Sequence, residues 1–372
     1  MDNRREEIMK RRKRRRLIRR IQRDLVLLGM LLVLVGIIWL IKLAVVSIIH
    51  HVHKETAVEE TVAIETVEFP TEETIESETE IIEEEPIGKA ASEDAALFYE
   101  GYRISDTGSR TYIDAAEDEM NSSYAILINL ETGDVVAQKE PDTIISPASM
   151  TKILTLLTAS DYITDLDDTI VMNEEIPNYV YVHDCSAVGF MPGDRLTIED
   201  LLYGTILPSG ADAALALADY VAGSQEEFVK LMNAKVKELG LSQTAHFDNC
   251  TGIYSETNKC TVGDMAMILK AAMERDICRQ VLSAHSYTTS STPDHPEGIT
   301  ISNWFLRRIE DKETGGEVIG AKTGFVVQSG SCAASYFKNA KGTPYICVTG
   351  NAHSSWRCIY DHVYIYSTYA TD

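Results

Sequence analysis

Three short strings in this chain carry side chains able to act on a carbonyl group. They are Ser149-Met-Thr-Lys152, Ser209-Gly-Ala211 and Lys322-Thr-Gly324. A serine hydroxyl attacks poorly until a base removes its proton. Lys152 follows Ser149 by three positions, so on a helix the two side chains share a face. An ammonium is not a base, but burial and a second nearby cation lower a lysine pKa and free the amine. Lys322 is the natural second cation. A helix N-terminus also favours negative charge developing near Ser149. Each string alone is common; their order and spacing make them informative. Together they propose a nucleophile, a base and an oxyanion site, the parts of a serine acyl-transfer reaction.

These side chains need rigid elements. Pro147 to about Ser160 reads as a helix, with Ser146 as its cap and Pro147 at the first helical position. Met150, Ile153, Leu154 and Leu157 form an apolar stripe at helical spacing, which predicts a buried helix. Lys322-Thr-Gly324 precedes Phe325-Val-Val, a strand-like run. A strand edge pairs with an extended peptide, while Lys322 and Thr323 hold a carboxylate. Gly324 leaves room for close approach. The backbone N–H groups of Ser149 and Phe325 would then form the oxyanion hole.

Tyr124 to Leu130 and Val135 to Gln138 read as a hairpin around a Gly-bearing turn, and Ser331 to Phe337 with Pro344 to Thr349 as a second one. Helices are expected at Asp212–Val221, after the capping box Ser224-Gln-Glu-Glu227, and at Val262–Met273. A final helix or strand follows Ser354. Strands at both ends with helices between predict an α/β fold, one antiparallel sheet assembled from both ends of the domain beside a helical lobe.

The N-terminal part reads differently. The 372-residue chain has a net charge of -23, yet its first residues are strongly basic. Residues 1–24 form a basic tail, and the apolar stretch 25–49 is long enough to cross a bilayer of about 30 Å as a helix. The positive-inside rule puts the tail in the cytoplasm and the remainder outside the cell, as a single-pass membrane protein. The basic tail would also meet anionic lipid rather than nucleic acid. Residues 50–94, rich in glutamate, predict a disordered stalk with a reach on the order of 140 Å. His50, His51 and His53 sit in that linker, which offers no second shell to fix a metal. The globular domain spans residues 95–372. Of seven cysteines, Cys250 with Cys260 or Cys332 with Cys347 could bridge, but free buried thiols are the preferred reading. His285 and His295 fall in a Ser/Thr/Pro-rich segment that reads as a loop over the domain.

The globular part resembles the serine-type D-Ala-D-Ala carboxypeptidases, low-molecular-mass penicillin-binding proteins of the S11 peptidase family. The resemblance rests on Pro147-Ala-Ser-Met-Thr-Lys152, Met191-Pro-Gly-Asp194 through Leu201-Leu-Tyr-Gly204, Leu207-Pro-Ser-Gly-Ala-Asp212, and Gly320-Ala-Lys-Thr-Gly-Phe325. It implies a β-lactamase/transpeptidase-like fold. It also implies that Ser149 attacks the carbonyl between the two terminal D-alanines of a peptidoglycan stem peptide, with Lys152 as base. Ser209, linked to Lys152 and Lys322, would pass a proton to the departing D-Ala. Lys322, Thr323, Gly324 and Phe325 would bind substrate. β-Lactams would acylate Ser149, and no metal or organic cofactor is implied.

One departure stands out. The family usually has Asn where this chain has Ala211, and the loss of such a hydrogen bond is worth about 1–3 kcal/mol, which predicts slower turnover. A class A β-lactamase would need Glu-x-x-x-Asn between the second and third strings; Glu174-x-x-x-Asn178 precedes Ser209 instead. A wall-peptide or β-lactam sensor and a cross-linking transpeptidase remain as alternatives on sequence alone.

Overall fold

The computed structural model describes residues 98–99, 102–103, 111–116 and 118–371. The basic tail, the apolar segment, the three histidines of the linker and the acidic stalk lie outside the described residues. The described chain begins with a small hairpin of β1 (Phe98–Tyr99) and β2 (Tyr102–Arg103). Then come β3 (Thr111–Tyr112), β4 (Tyr124–Asn129) and β5 (Val135–Lys139). The β4–β5 turn is closed by Asn129, whose side-chain oxygen accepts the N–H groups of Glu131 and Thr132, and by Gly133 at φ 82°.

The helical lobe follows. A 3₁₀ turn at Ala148–Met150 runs into α1 (Thr151–Ser160). Next are β6 (Thr169–Val171), α2 (Glu175–Val182), β7 (Arg195–Thr197), α3 (Ile198–Ile206), α4 (Ala211–Ala222) and α5 (Gln225–Glu238). The lobe ends with α6 (Val262–Glu274) and α7 (Asp276–Ser283). After them come β8 (Ser286–Thr288), β9 (Thr300–Ser302) and the short α8 (Leu306–Ile309). The chain closes with β10 (Gly316–Val326), β11 (Gly330–Asn339), β12 (Pro344–Ala352) and α9 (Ser355–Tyr369).

The main sheet has the order β10-β11-β12-β4-β5-β3, so its centre joins the last strand of the chain to an early one. Sheet assembly from both ends is therefore as expected. Its uniform antiparallel character is not: β3 pairs with β5 in parallel, and the sheet is mixed. The cause lies between β3 and β4. Ile113 and Met120 bury themselves against Leu127, Ala137, Ile365 and Tyr366. This carries the chain across one face of the sheet before it enters β4, leaving β3 outside β5 and aligned with it. The opposite face packs on α6, which contacts β4, β11 and β12.

The predicted helix of the first string starts later than expected. Ser146 is not a cap; its hydroxyl is buried without a hydrogen-bond partner, and Pro147 takes the cap position. Helix α1 is buried all round, Thr155 and Thr158 included, because α5, α6 and α4 enclose it. Ser224 caps α5 by accepting from Glu227 N–H, and Ser354 caps α9. The Ser/Thr/Pro-rich segment is not wholly loop: it carries the β8–β9 ribbon, and His285 faces Glu310 at 3.0 Å. All seven cysteines are free thiols. Cys347 lies opposite Ser335 in the β11–β12 register, whereas Cys332 lies at the bulge between Ser331 and Ala333 and pairs with Gly324 of β10.

Candidate active site

The three strings meet at one cleft between the helical lobe and β10. Ser149 sits in the 3₁₀ turn, half-buried, and Lys152 in the first turn of α1, fully buried. Lys152 Nζ lies 3.1 Å from Ser149 Oγ and 2.5 Å from the carbonyl oxygen of Thr251. That carbonyl belongs to a loop built by Asn249. The side-chain oxygen of Asn249 accepts the N–H of Thr251 and of Gly252, and Thr155 of α1 donates to the carbonyl of Cys250. Ala148, just before the nucleophile, has φ 47°, and Ser209 has φ 66°. Non-glycine residues in this region are uncommon and strained, and strain of this kind collects at functional sites.

Lys322 lies inside β10 rather than before a strand. It is buried, and its Nζ donates to Ser209 Oγ at 2.9 Å and to the carbonyl of Thr323 at 2.7 Å. Ser209 thus has its link to Lys322, while the partners of Lys152 are Ser149 and Thr251. Alternation along the strand turns Lys322 and Gly324 toward the lobe. Gly324 is needed there: a Cβ would stand 3.0 Å from Ser149 N and 2.8 Å from Cys332 Sγ. This brings the backbone of β10 against the Ser149 amide, as an oxyanion site requires. β10 is an edge strand, so its far side is open to pair with a peptide.

Burial pulls the Lys152 amine down to about 8, and burial followed by the Lys152 charge holds Lys322 well below the usual lysine range. The expected influence of Lys322 on Lys152 runs the other way. Burial is the main cause of the Lys152 shift, and the Lys152 charge in turn depresses Lys322. Near neutral pH a fraction of Lys152 is therefore an amine positioned on the serine hydroxyl.

The cleft encloses about 710 Å³ and is lined by Ser149, Lys152, Ser209, Thr323, Gly324 and Phe325, among others. It extends to residues that sequence reasoning did not single out: Cys185, Tyr254 and Trp304. Asp212 is also unforeseen; its carboxylate accepts the N–H groups of Val188, Gly189 and Phe190 and fixes the far wall. Asn249 and Thr251, visible in the sequence only as an Asn-x-Thr triplet, carry the loop under Lys152. Ala211 is buried at the first position of α4 and offers the cleft no polar group. Glu174 and Asn178 lie at α2 and do not line the cleft.

A serine within hydrogen-bond reach of a buried lysine amine, beneath an open strand edge, defines the class of active-site-serine acyl-transfer proteins. Comparison with known proteins agrees. Residues 111–354 match the family model described as D-alanyl-D-alanine carboxypeptidase, Peptidase S11. DacF, a D-alanyl-D-alanine carboxypeptidase of Bacillus subtilis, is 30% identical over 216 residues, covering 58% of this chain and 53% of that protein. A D-alanyl-D-alanine carboxypeptidase of Streptomyces sp. strain K15 is 34% identical over 212 residues, covering 53% of this chain and 69% of that protein. The crystal structure of the Streptomyces K15 DD-transpeptidase superimposes with a TM-score of 0.60 at 28% identity, over 66% of this chain and 95% of that one. The chain belongs to the D-alanyl-D-alanine carboxypeptidase family, peptidase family S11. It spans about half the length of DacF.

Proposed function

We propose that the protein is a serine D-Ala-D-Ala carboxypeptidase that removes the terminal D-alanine from peptidoglycan stem peptides. The observation that carries this reading is the 3.1 Å contact between Ser149 Oγ and the buried Lys152 Nζ. The neutral amine of Lys152 takes the Ser149 proton as the hydroxyl attacks the carbonyl between the two D-alanines. The oxyanion meets backbone N–H groups at Ser149 and Phe325. Ser209, fed by Lys322, protonates the departing D-Ala, and water then hydrolyses the ester to Ser149. The substrate lies along β10, its carboxylate toward Thr323. β-Lactams acylate the same serine. We further propose that the apolar segment anchors the chain in the cell membrane, with the basic tail inside and residues 95–372 outside on the acidic stalk.

The test is acylation by a labelled penicillin, with the adduct located by peptide mass spectrometry. The reading expects one adduct, on Ser149, lost in Ser149→Ala. An adduct elsewhere, or none on folded protein, overturns it. A second reading, a weakly catalytic sensor of wall peptide or β-lactam, draws on the apolar Ala211. It expects a stable Ser149 adduct without turnover of peptide.

A further inference from the structure

A peptide paired along the open edge of β10 uses one edge of its own backbone there and turns the other toward the opposite wall. Groups on that second edge need partners once water is excluded. The obvious polar side chains on the lobe side are already committed. Lys152 is bonded to Ser149 and Thr251, and Ser209 to Lys322. Ala211 contributes none.

The opposite wall includes the stretch His183–Ser186. It is firmly placed. Ala211 N–H donates to the carbonyl of Ser186 at 2.8 Å, and Cys185 N–H donates to that of Val180 at 3.0 Å. Asp212 clamps the three N–H groups of Val188, Gly189 and Phe190 that follow. Cys185 thereby lines the same cavity as Ser149 and Ser209, one residue from Ser186, to which Ala211 is bonded. Six of the seven thiols are buried; Cys185 is the partly exposed one. Its own hydrogen-bond contact is long, 3.8 Å to the carbonyl of His183, so the thiol is available to a ligand. Its charge state is felt by Lys152, which places it in the electrostatic field of the catalytic amine.

We infer that Cys185 is a substrate-contacting residue, its S–H donating to a backbone carbonyl of the peptide on the edge that faces away from β10. The inference rests on the carboxypeptidase reading for its substrate, but penicillin acylation tests it separately. The full chain in detergent, wild type and Cys185→Ala, Cys185→Val and Cys185→Ser, is assayed for acylation by benzylpenicillin and for D-Ala release. The expected result is a five- to tenfold loss of acylation efficiency in the Ala and Val variants. The loss should fall on the binding constant rather than the limiting acylation rate, and Ser should restore it to within twofold. Iodoacetamide on the folded wild type should alkylate Cys185, block acylation, and be excluded by prior penicillin. Ala and Val variants within twofold of wild type overturn the inference. So does a loss that Ser does not repair, or an alkylated enzyme that still acylates normally. If wild type is acylated but releases no D-Ala, the carboxypeptidase reading fails while the Cys185 inference is still decided by acylation.

Discussion

Gly252 and Ala148 are in direct backbone contact: a Cβ on Gly252, which has φ +80°, would fall 2.0 Å from the Ala148 carbonyl oxygen. The loop that supplies the Thr251 carbonyl to Lys152 therefore also props the strained turn that presents Ser149. Gly252→Ala should force the two apart. Penicillin acylation should fall by about 10²-fold, because small misplacements of a nucleophile cost that much, and the protein should melt lower. An acylation rate near wild type would show that the loop does not set the turn.

The Lys152 amine should impose its own pH profile. Its proton is lost around pH 8, so acylation should rise with pH up to about 8 and level off above. The same burial makes the native protein bind fewer protons than the unfolded chain between about 8 and the usual lysine range. Stability contributed by this site should therefore rise with pH across that window. Lys152→Ala should abolish the limb and lower acylation by about 10²-fold or more. A flat profile in wild type contradicts the assignment of Lys152 as base.

Lys322 touches Ser209 and lies beneath the cleft, so its removal should be felt through that hydroxyl. Ser209→Ala and Lys322→Ala should each slow D-Ala release, and the double variant should be little worse than either single one, since residues acting as a unit are not additive. Kinetics of the four proteins form the check. Additive losses would show that the two groups act separately.

Much of the site is legible in the sequence because Ser149, Lys152, Ser209 and Lys322 act through their side chains, which the sequence displays. Thr251 is not, because it acts through a carbonyl that every residue has. Cys185 is not, because only the long-range clamp of Asp212 and Ala211 brings its stretch to the cleft. The hairpins and the long helices are legible from periodicity and caps. The direction of β3 is not: a two-residue edge strand has no pattern, and its placement depends on Ile113 and Met120 finding the α9 side of the sheet.

Away from the cleft, His362 should control acid sensitivity. It is buried between Ser335 and Thr349, bonded at 2.8 and 2.9 Å, and burial pulls it down to about 3. In the unfolded chain it takes a proton near 6.5, so stability from this site is present above that pH and lost as pH falls toward 3. Melting temperature should drop more steeply with acid in wild type than in His362→Gln, although the variant starts lower. Parallel slopes would contradict a neutral buried imidazole.

The central claim is the reaction itself. The most direct measurement incubates the full chain in detergent with a pentapeptide muropeptide and follows the products by mass spectrometry, with Ser149→Ala alongside. Loss of a single D-Ala that depends on Ser149 is the predicted result. Intact pentapeptide after exposure to folded protein that acylates with penicillin would contradict it.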